Sequence, residues 1–162
     1  MTEKKISGVV ITFFSTASAV GKTLISVNMA SELARQGYRV CLADYDLQFG
    51  DIANYLRLSA HPSSYDVIEA LKQNNQGDLQ QLLVPYRYGT ISFDVLPAPE
   101  SLEQAYNLSP EDCTELIKKL RLLYDYVIID TTSMFSKLNL AMLDLSTIVT
   151  FLGVVDFIPT IK

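Results

Sequence analysis

The segment GVVITFFSTASAVGKTLISVNMASELARQ, residues 8–36, decides the fold of this 162-residue chain. Residues 8–15 are β-branched and aromatic, which predicts a buried strand. A run of small residues follows over 16–23, and residues 24–36 then carry apolar side chains at helical spacing. Gly37 is the residue type that commonly ends a helix. The order strand, small-residue loop and helix predicts the first unit of an α/β sheet.

The rest of the chain continues this alternation. Further strands are predicted over residues 38–43, 90–96, 126–129 and 146–154, and further helices over 65–73, 79–83, 110–123 and 138–145. Ser64, Asp78 and Ser109 stand where N-caps are expected. Tyr86, Arg87 and Tyr88 are predicted to lie in a surface loop or a partner contact. Alternating strands and helices favour a mostly parallel sheet with helices on both faces, in one domain over residues 1–162.

Composition excludes several classes of protein. Hydrophobic residues make up 49% of the chain and charged residues 19%, against ~25% charged in typical proteins, which excludes a disordered polar chain. A net charge of −5 excludes a chain-wide basic field for DNA or anionic lipid, so DNA binding is not expected. No apolar segment has the length of a signal peptide or a membrane span, which predicts a cytoplasmic protein.

Cysteine and histidine offer little chemistry. Two cysteines are too few for a disulfide scaffold, and Cys41 is predicted to be a small core residue. Cys113 lies in a predicted helix with no His or Cys nearby. His61, the one histidine, is predicted to be an exposed loop residue. Metal binding or nucleophilic catalysis by these residues is therefore not expected.

The sharpest motif is Val20-Gly21-Lys22-Thr23, between the first strand and the first helix. In a P-loop, backbone N–H groups and the helix N-terminus bind phosphate. Lys22 would reach the outer phosphates, Thr23 would bind Mg²⁺, and Gly21 would allow close backbone approach. The strict motif also needs glycine at position 16, where this chain has Thr16. The alternative is that Gly-Lys-Thr is an ordinary helix start.

Three acidic residues favour the phosphate site. Asp44 and Asp46 stand at the end of the second strand, and Asp130 stands at the end of a later one. The carboxyl ends of parallel strands meet at one edge of a sheet, the edge that also carries the loop after the first strand. We therefore expect the three acids to converge there, where Mg²⁺ takes oxygen ligands and nucleotide hydrolysis needs an oriented water.

These residues resemble the ParA/MinD family of deviant-Walker-A ATPases. The closer likeness is to its TadZ/CpaE branch, associated with type IV (Flp/Tad) pilus assembly and localisation. The likeness is carried by VNMASELARQGYRVCLADYDLQFGDIANYL (27–56), VLPAPESLEQA (95–105) and LSPEDCTELIKKLRLLYDYVIIDTT (108–132). The stretch Leu47-Gln48-Phe49-Gly50-Asp51 is particularly similar to that branch. The resemblance implies a three-layer P-loop NTPase fold.

The resemblance also implies cofactors, roles and partners. ATP and Mg²⁺ are the implied cofactors, with Lys22 and Asp46 as catalytic residues. The implied nucleotide-binding residues are Ala17, Ser18, Ala19, Val20, Gly21, Lys22, Thr23 and Leu24, and the implied metal-site residues are Thr23, Asp44 and Asp130. The family forms ATP-bound sandwich homodimers, and the branch implies pilus-secretion or polar-localisation proteins as partners. Membrane contact is expected only through such a partner.

This chain departs from the family pattern at four positions of the loop and in one stretch near Asp130. The family's signature lysine, which reaches the partner's nucleotide, is Ala17 here, and two glycines are Ser18 and Ala19. The threonine that often follows the Mg²⁺ ligand is Leu24, and the family's Asp-Thr-Pro-Pro reads DTTS over residues 130–133. A Cβ at position 18 or 19 disfavours positive φ. We therefore expect an ATP-binding switch protein with slow hydrolysis.

Other functions stay open at this stage. They are a nucleotide-independent scaffold of the same fold, a DNA-partition or cell-division positioning ATPase, and a small-molecule kinase. The kinase would want an arginine-rich lid, which the sequence lacks. Family domains run to ~200–250 residues, an ordinary size for one α/β domain, so the resemblance implies a C-terminally shortened or partial domain. The segment that reads the base is then expected beyond Lys162.

Overall fold

The computed structural model describes residues 7–59, 62–73 and 78–153. Its strands are β1 (Val9–Phe14), β2 (Val40–Tyr45), β3 (Val84–Tyr88), β4 (Ile91–Leu96), β5 (Tyr126–Thr131) and β6 (Ile148–Phe151). Its α-helices are α1 (Lys22–Arg35), α2 (Ile52–Tyr55), α3 (Ser64–Lys72), α4 (Leu102–Tyr106), α5 (Pro110–Leu120) and α6 (Lys137–Leu145), and one 3-10 helix spans Leu79–Leu82. His61 and residues 154–158, which the sequence predictions include, lie outside the described ranges.

The six strands form one sheet in the order β3-β4-β2-β5-β1-β6. Every neighbouring pair is parallel except β3 and β4, which pair antiparallel. Asp130 is in register with Phe13 of β1 and with Asp44 of β2, so the three central strands end at the same level. The prediction of a mostly parallel α/β sheet is confirmed.

Helices pack on both faces of this sheet and make it three layers deep. On one face, Val27 and Ala30 of α1 are buried in a cluster with Phe13, Leu42 and Ile128. On the other face, α3, α5 and α6 pack a second buried cluster against the strand residues whose side chains point to that face. Its helical members include Val67, Ile68, Leu116, Ile117, Leu120 and Met142. The central strands are therefore apolar throughout because both of their faces are covered.

Local capping sets two helix starts on the second face. The Ser109 side chain accepts the N–H of Asp112, and Pro110 occupies the first turn of α5, as predicted. For α3 the predicted cap at Ser64 is wrong, since Ser63 is the N-cap. Its hydroxyl accepts the N–H of Asp66, and the Asp66 carboxylate accepts the N–H of Ser63. This reciprocal pair is possible one residue earlier because the acid stands three positions after Ser63.

Three elements differ from the sequence predictions. The predicted surface loop at Tyr86 to Tyr88 is wrong, because these residues belong to β3, the antiparallel edge strand. Pro85 has no backbone N–H to donate, so β3 could not hydrogen-bond fully to a strand on each side. An edge strand has a neighbour on one side only and therefore tolerates the missing donor. Helices α2 and α4 were not predicted. At the start of α4, the Ser101 hydroxyl accepts the N–H of Gln104.

Burial decides the chemistry of the two thiols, and helix length decides whether a helix can cross a membrane. Cys41 and Cys113 have no exposed surface, in agreement with a core role. Burial raises the pKa of both, to about 12 for Cys113. Among the described residues, no helix has the length and apolar character needed to cross a membrane.

Candidate nucleotide site

The loop between β1 and α1 holds two residues in the left-handed region. Gly21, the N-cap of α1, has φ 90°, a conformation that glycine adopts without steric cost. Ala19 has φ 57° and adopts this region in spite of its Cβ. Ser18 does not have positive φ. The expected conflict between a side chain and a left-handed loop backbone therefore falls on Ala19 alone.

This loop lines a cavity of about 510 Å³ at the carboxyl end of the sheet. Six of the predicted nucleotide-binding residues lie on its wall: Ser18, Ala19, Val20, Gly21, Lys22 and Thr23. Ala17 and Leu24 are exposed and do not line it. The opposite wall comes from the loops after β2 and β5 and includes Asp46, Phe49, Asp51 and Ser133. The parallel strand ends thus bring three loops around one space.

Lys22 is held by hydroxyl groups at the start of α1. Its ammonium donates to the Ser15 hydroxyl at 3.0 Å and to the Ser133 hydroxyl at 2.8 Å. Both hydroxyls in turn donate to the carbonyl oxygen of Ala17, at 2.6 Å and 2.8 Å. Ser15 and Ser133 were not predicted as functional residues, because the sequence around each serine does not indicate a contact with a lysine.

Thr23 and Asp130 form the centre of the site. The Thr23 hydroxyl donates to Oδ2 of Asp130 at 2.5 Å. Asp130 is 2% exposed, and its other carboxylate oxygen is buried without a hydrogen-bond partner. Burial raises the pKa of Asp130 from its ordinary 3.8 to about 6, although the Thr23 bond and the Lys22 charge oppose that rise. A nearby cation would stabilise the charged form of such a buried carboxylate.

Asp46 and Asp44 occupy different environments. Asp46 lines the cavity, and its carboxylate accepts the N–H of Phe49 at 3.1 Å. Burial raises the pKa of Asp46, and the same N–H and the charge of Lys22 act in the opposite direction. Asp46 is therefore the acid that the loop after β2 presents to the cavity.

Asp44 lies in β2 behind that loop. It is 1% exposed, and its two carboxylate oxygens accept the N–H groups of Asp46 and Ile52, each at 3.1 Å. Burial and the neighbouring Asp130 raise the pKa of Asp44. Gly50 packs so closely that a Cβ there would lie 2.7 Å from Asp44 Oδ2. These contacts fit a residue that holds residues 46–52 in place, while its predicted part in a metal site stays a prediction.

The site fits a magnesium nucleotide better than a metal ion alone. Within the described ranges, no group of three His, Cys, Asp or Glu side chains is arranged to hold a metal. Mg²⁺ usually binds one or two carboxylates together with substrate phosphates and waters. The buried, unpartnered oxygen of Asp130 beside the Thr23 hydroxyl suits that arrangement, and the helix N-terminus suits the phosphates.

A buried strand that leads through a left-handed glycine into a helix beginning Lys-Thr defines a P-loop nucleotide-binding domain. The family model described as an AAA domain matches residues 8–152. The chain belongs to this family, as a member of the ParA/MinD group of P-loop ATPases.

Known relatives agree with this membership. Septum site-determining protein MinD of Thermotoga maritima is 32% identical over 76% of this chain and 44% of its own length. The ParA family ATPase from Chlorobium tepidum has a TM-score of 0.77 and 25% identity, over 90% of this chain and 60% of that one. MinD of Pyrococcus horikoshii, complexed with Mg-ADP, has a TM-score of 0.76 and 19% identity, over 90% and 58% of the two chains, and shows the shared fold.

The chain spans less than half the length of the MinD relatives it matches. The part present here contains the loop before α1 and the ends of β2 and β5 with Asp44, Asp46 and Asp130.

Proposed function

We propose that this chain binds MgATP and MgADP and acts as a nucleotide-dependent switch with weak ATP hydrolysis. The observation that carries the proposal is the geometry at the start of α1, where Lys22 and Thr23 line one cavity and the Thr23 hydroxyl donates to the buried carboxylate of Asp130. Lys22 forms no ion pair within the described ranges, so its charge stays available to an anion. A helix that merely began with Gly-Lys-Thr would not need a buried carboxylate beside the threonine.

Each site residue has a proposed part. Lys22 binds the outer phosphates together with the backbone N–H groups of residues 18–23. Thr23 and Asp130 hold Mg²⁺, which neutralises phosphate charge when bound. Asp46, on the cavity wall, orients the attacking water, and Asp44 keeps Asp46 in place through the backbone of its loop.

The proposal of weak hydrolysis rests on the residue at position 17, which is alanine. Ala17 is exposed at the site's edge and brings no cation to the phosphates. Cationic side chains that stabilise the charge of phosphoryl transfer contribute up to ~10³–10⁵ in rate. The proposed protein therefore binds nucleotide more effectively than it turns nucleotide over.

The proposed biological setting is pilus assembly or polar localisation, as in the TadZ/CpaE branch. Support comes from the loop Leu47-Gln48-Phe49-Gly50-Asp51, whose glycine is required by close packing on Asp44. We further propose a single, partial ParA/MinD-like domain that forms a homodimer. Leu24, Ile25 and Met29 of α1 are exposed next to the phosphate loop, which supports a protein contact there.

Nucleotide titration tests the proposal. We expect millimolar MgADP or MgATP to raise the Tm and to give a calorimetric binding isotherm. Lys22→Ala should abolish both signals, and Lys118→Ala on the exposed face of α5 is the matched control that should keep them. Absence of binding to the unmodified chain would favour a nucleotide-independent scaffold. ATP-dependent retention on DNA at low salt would favour a partition ATPase.

The dimer has its own measurement. Sedimentation velocity with and without MgATP should show a heavier species that depends on nucleotide only in part, because Ala17 stands where the family's lysine would reach the partner's nucleotide. Leu24→Glu should prevent that species, while Leu122→Glu, which changes an equally exposed leucine far from the loop, should not.

A further inference from the structure

The network around Lys22 joins two loops that are far apart in sequence. Ser15 directly follows β1, and Ser133 lies after β5, yet both hydroxyls contact the same ammonium and the same Ala17 carbonyl. The two hydroxyls are 3.3 Å from each other. Ser15 is fully buried, whereas Ser133 stands on the cavity wall. Ser133 is therefore the member of the network nearest to a ligand in the cavity.

The donors and acceptors of this network balance. A serine hydroxyl has one hydrogen to donate and two acceptor positions, and an ammonium has three hydrogens. Each hydroxyl gives its hydrogen to the Ala17 carbonyl and accepts one from Lys22. Two N–H bonds of Lys22 are thus used, and the third, which has no hydrogen-bond partner among the described residues, can meet a phosphate oxygen.

The chemistry of the partners is as important as their number. Hydroxyl groups are neutral, so they orient the ammonium without cancelling its charge. A carboxylate in the place of Ser133 would hold Lys22 equally firmly but would compete with an anionic ligand. The same hydroxyl also anchors the Ala17 carbonyl, which restrains the segment that leads into Ala19 and Gly21.

We propose that Ser133 is a positioning residue, which orients the Lys22 ammonium and anchors the phosphate loop for the outer phosphates. This role rests on the proposed function. Its effect on affinity comes from preorganisation, because a lysine already held in place loses less conformational freedom when the phosphates bind.

Three variants test this role by calorimetry with MgADP. Ser133→Ala should raise the Kd roughly five- to tenfold, because it removes a hydrogen bond to a charged group. Ser133→Thr keeps the hydroxyl and should bind within twofold of the unmodified chain. Ser31→Ala is the matched control, because the Ser31 hydroxyl donates to the Val27 carbonyl inside α1, away from the cavity. It should also bind within twofold.

A second readout uses the nucleotide-free protein. The ¹³Cε resonance of Lys22, assigned through Lys22→Arg, should shift in Ser133→Ala, return in Ser133→Thr and stay unchanged in Ser31→Ala. Equal or tighter MgADP binding by Ser133→Ala, or an unchanged Lys22 resonance, overturns the positioning role. If the unmodified chain binds no MgADP, the proposed function fails, and the resonance alone decides whether Ser133 positions Lys22.

Discussion

Thr23 and Asp130 are 107 positions apart in the chain, and the Thr23 hydroxyl donates a 2.5 Å hydrogen bond to Oδ2 of Asp130. The bond joins the first turn of α1 to the end of β5, next to β1 in the sheet. It satisfies one oxygen of a buried carboxylate and leaves the other without a partner. The pair therefore contains a buried carboxylate oxygen without a hydrogen-bond partner, and its effect on stability can be measured in the absence of a cation.

The first prediction concerns pH. The pKa of Asp130 is about 6 in the folded chain and about 3.8 when unfolded, so the native state keeps a proton that the unfolded state releases. The free energy of unfolding should therefore fall as pH rises from 5 to 7, by about 1 kcal/mol from this group. Urea denaturation of magnesium- and nucleotide-free protein measures the change.

Asp130→Asn is the control for this pH dependence, because an amide keeps the shape and does not titrate. Its stability should vary less between pH 5 and 7 than that of the unmodified chain. The carboxylates whose pKa is lowered, such as Asp112 and Asp125, titrate below this window. A stability that rises with pH across the window would contradict the prediction.

The second prediction concerns Ala19, whose φ of 57° is costly for a residue with a Cβ. Ala19→Gly stabilises the folded state by removing ~1–2 kcal/mol of steric cost. It also stabilises the unfolded state by ~0.4–1 kcal/mol, because glycine increases the entropy of the unfolded chain. The net effect should be a gain of about 0.5–1 kcal/mol, or a Tm rise of ~1–4 °C. Ala17→Gly, in the same loop without positive φ, should instead lower the Tm. Equal losses in both variants would show that the conformation of Ala19 is not strained.

The third prediction concerns Gly50, which packs against Asp44 and Ala98. Gly50→Ala should lower the free energy of unfolding by about 1–3 kcal/mol, because the new methyl group overlaps fixed neighbours. Gly153→Ala is the control, since its Cβ would meet a Phe151 ring atom at an ordinary 3.6 Å. That variant should change stability by less than ~0.5 kcal/mol. Chemical denaturation of both variants measures the two changes in the free energy of unfolding. Equal changes in the two variants would contradict the prediction.

The fourth prediction concerns hydrolysis. The triple change Ala17→Lys, Ser18→Gly and Ala19→Gly should raise ATP turnover at least roughly tenfold, because it restores a cation near the phosphates and relaxes the loop. Phosphate release measures turnover. Adding Asp46→Asn to the triple variant should remove the gain while MgADP still binds. Ordinary P-loop turnover in the unmodified chain would show that its loop residues do not impair hydrolysis.

Local signals predicted the parts of this fold that local interactions determine. The apolar runs around Val10 and Ile128 predicted strands, because central strands in a covered sheet are apolar on both faces. The Gly-Lys-Thr motif predicted the loop and the start of α1, since its residue types have direct backbone and phosphate roles. Parallel strand ends then placed Asp46 and Asp130 at the correct edge of the sheet.

Tertiary contacts decided the rest. Asp44 lies at the end of β2, as predicted, but N–H groups of its own following loop satisfy both carboxylate oxygens, which no local pattern indicated. Tyr86 and Tyr88 form a strand only because β4 pairs with them after a turn at Gly89. Ser133 reaches Lys22 across 111 positions, a distance at which no local pattern indicates a partner.

The burial of both native thiols has a practical consequence for fluorescence and spin labelling. Maleimide and methanethiosulfonate reagents react with accessible thiolates, and Cys41 and Cys113 are neither accessible nor easily ionised. A thiol introduced by Phe49→Cys, at a cavity-wall position that is 75% exposed, should therefore react selectively in the folded protein. The loop beside the phosphate site can then carry a single probe without replacement of either native cysteine.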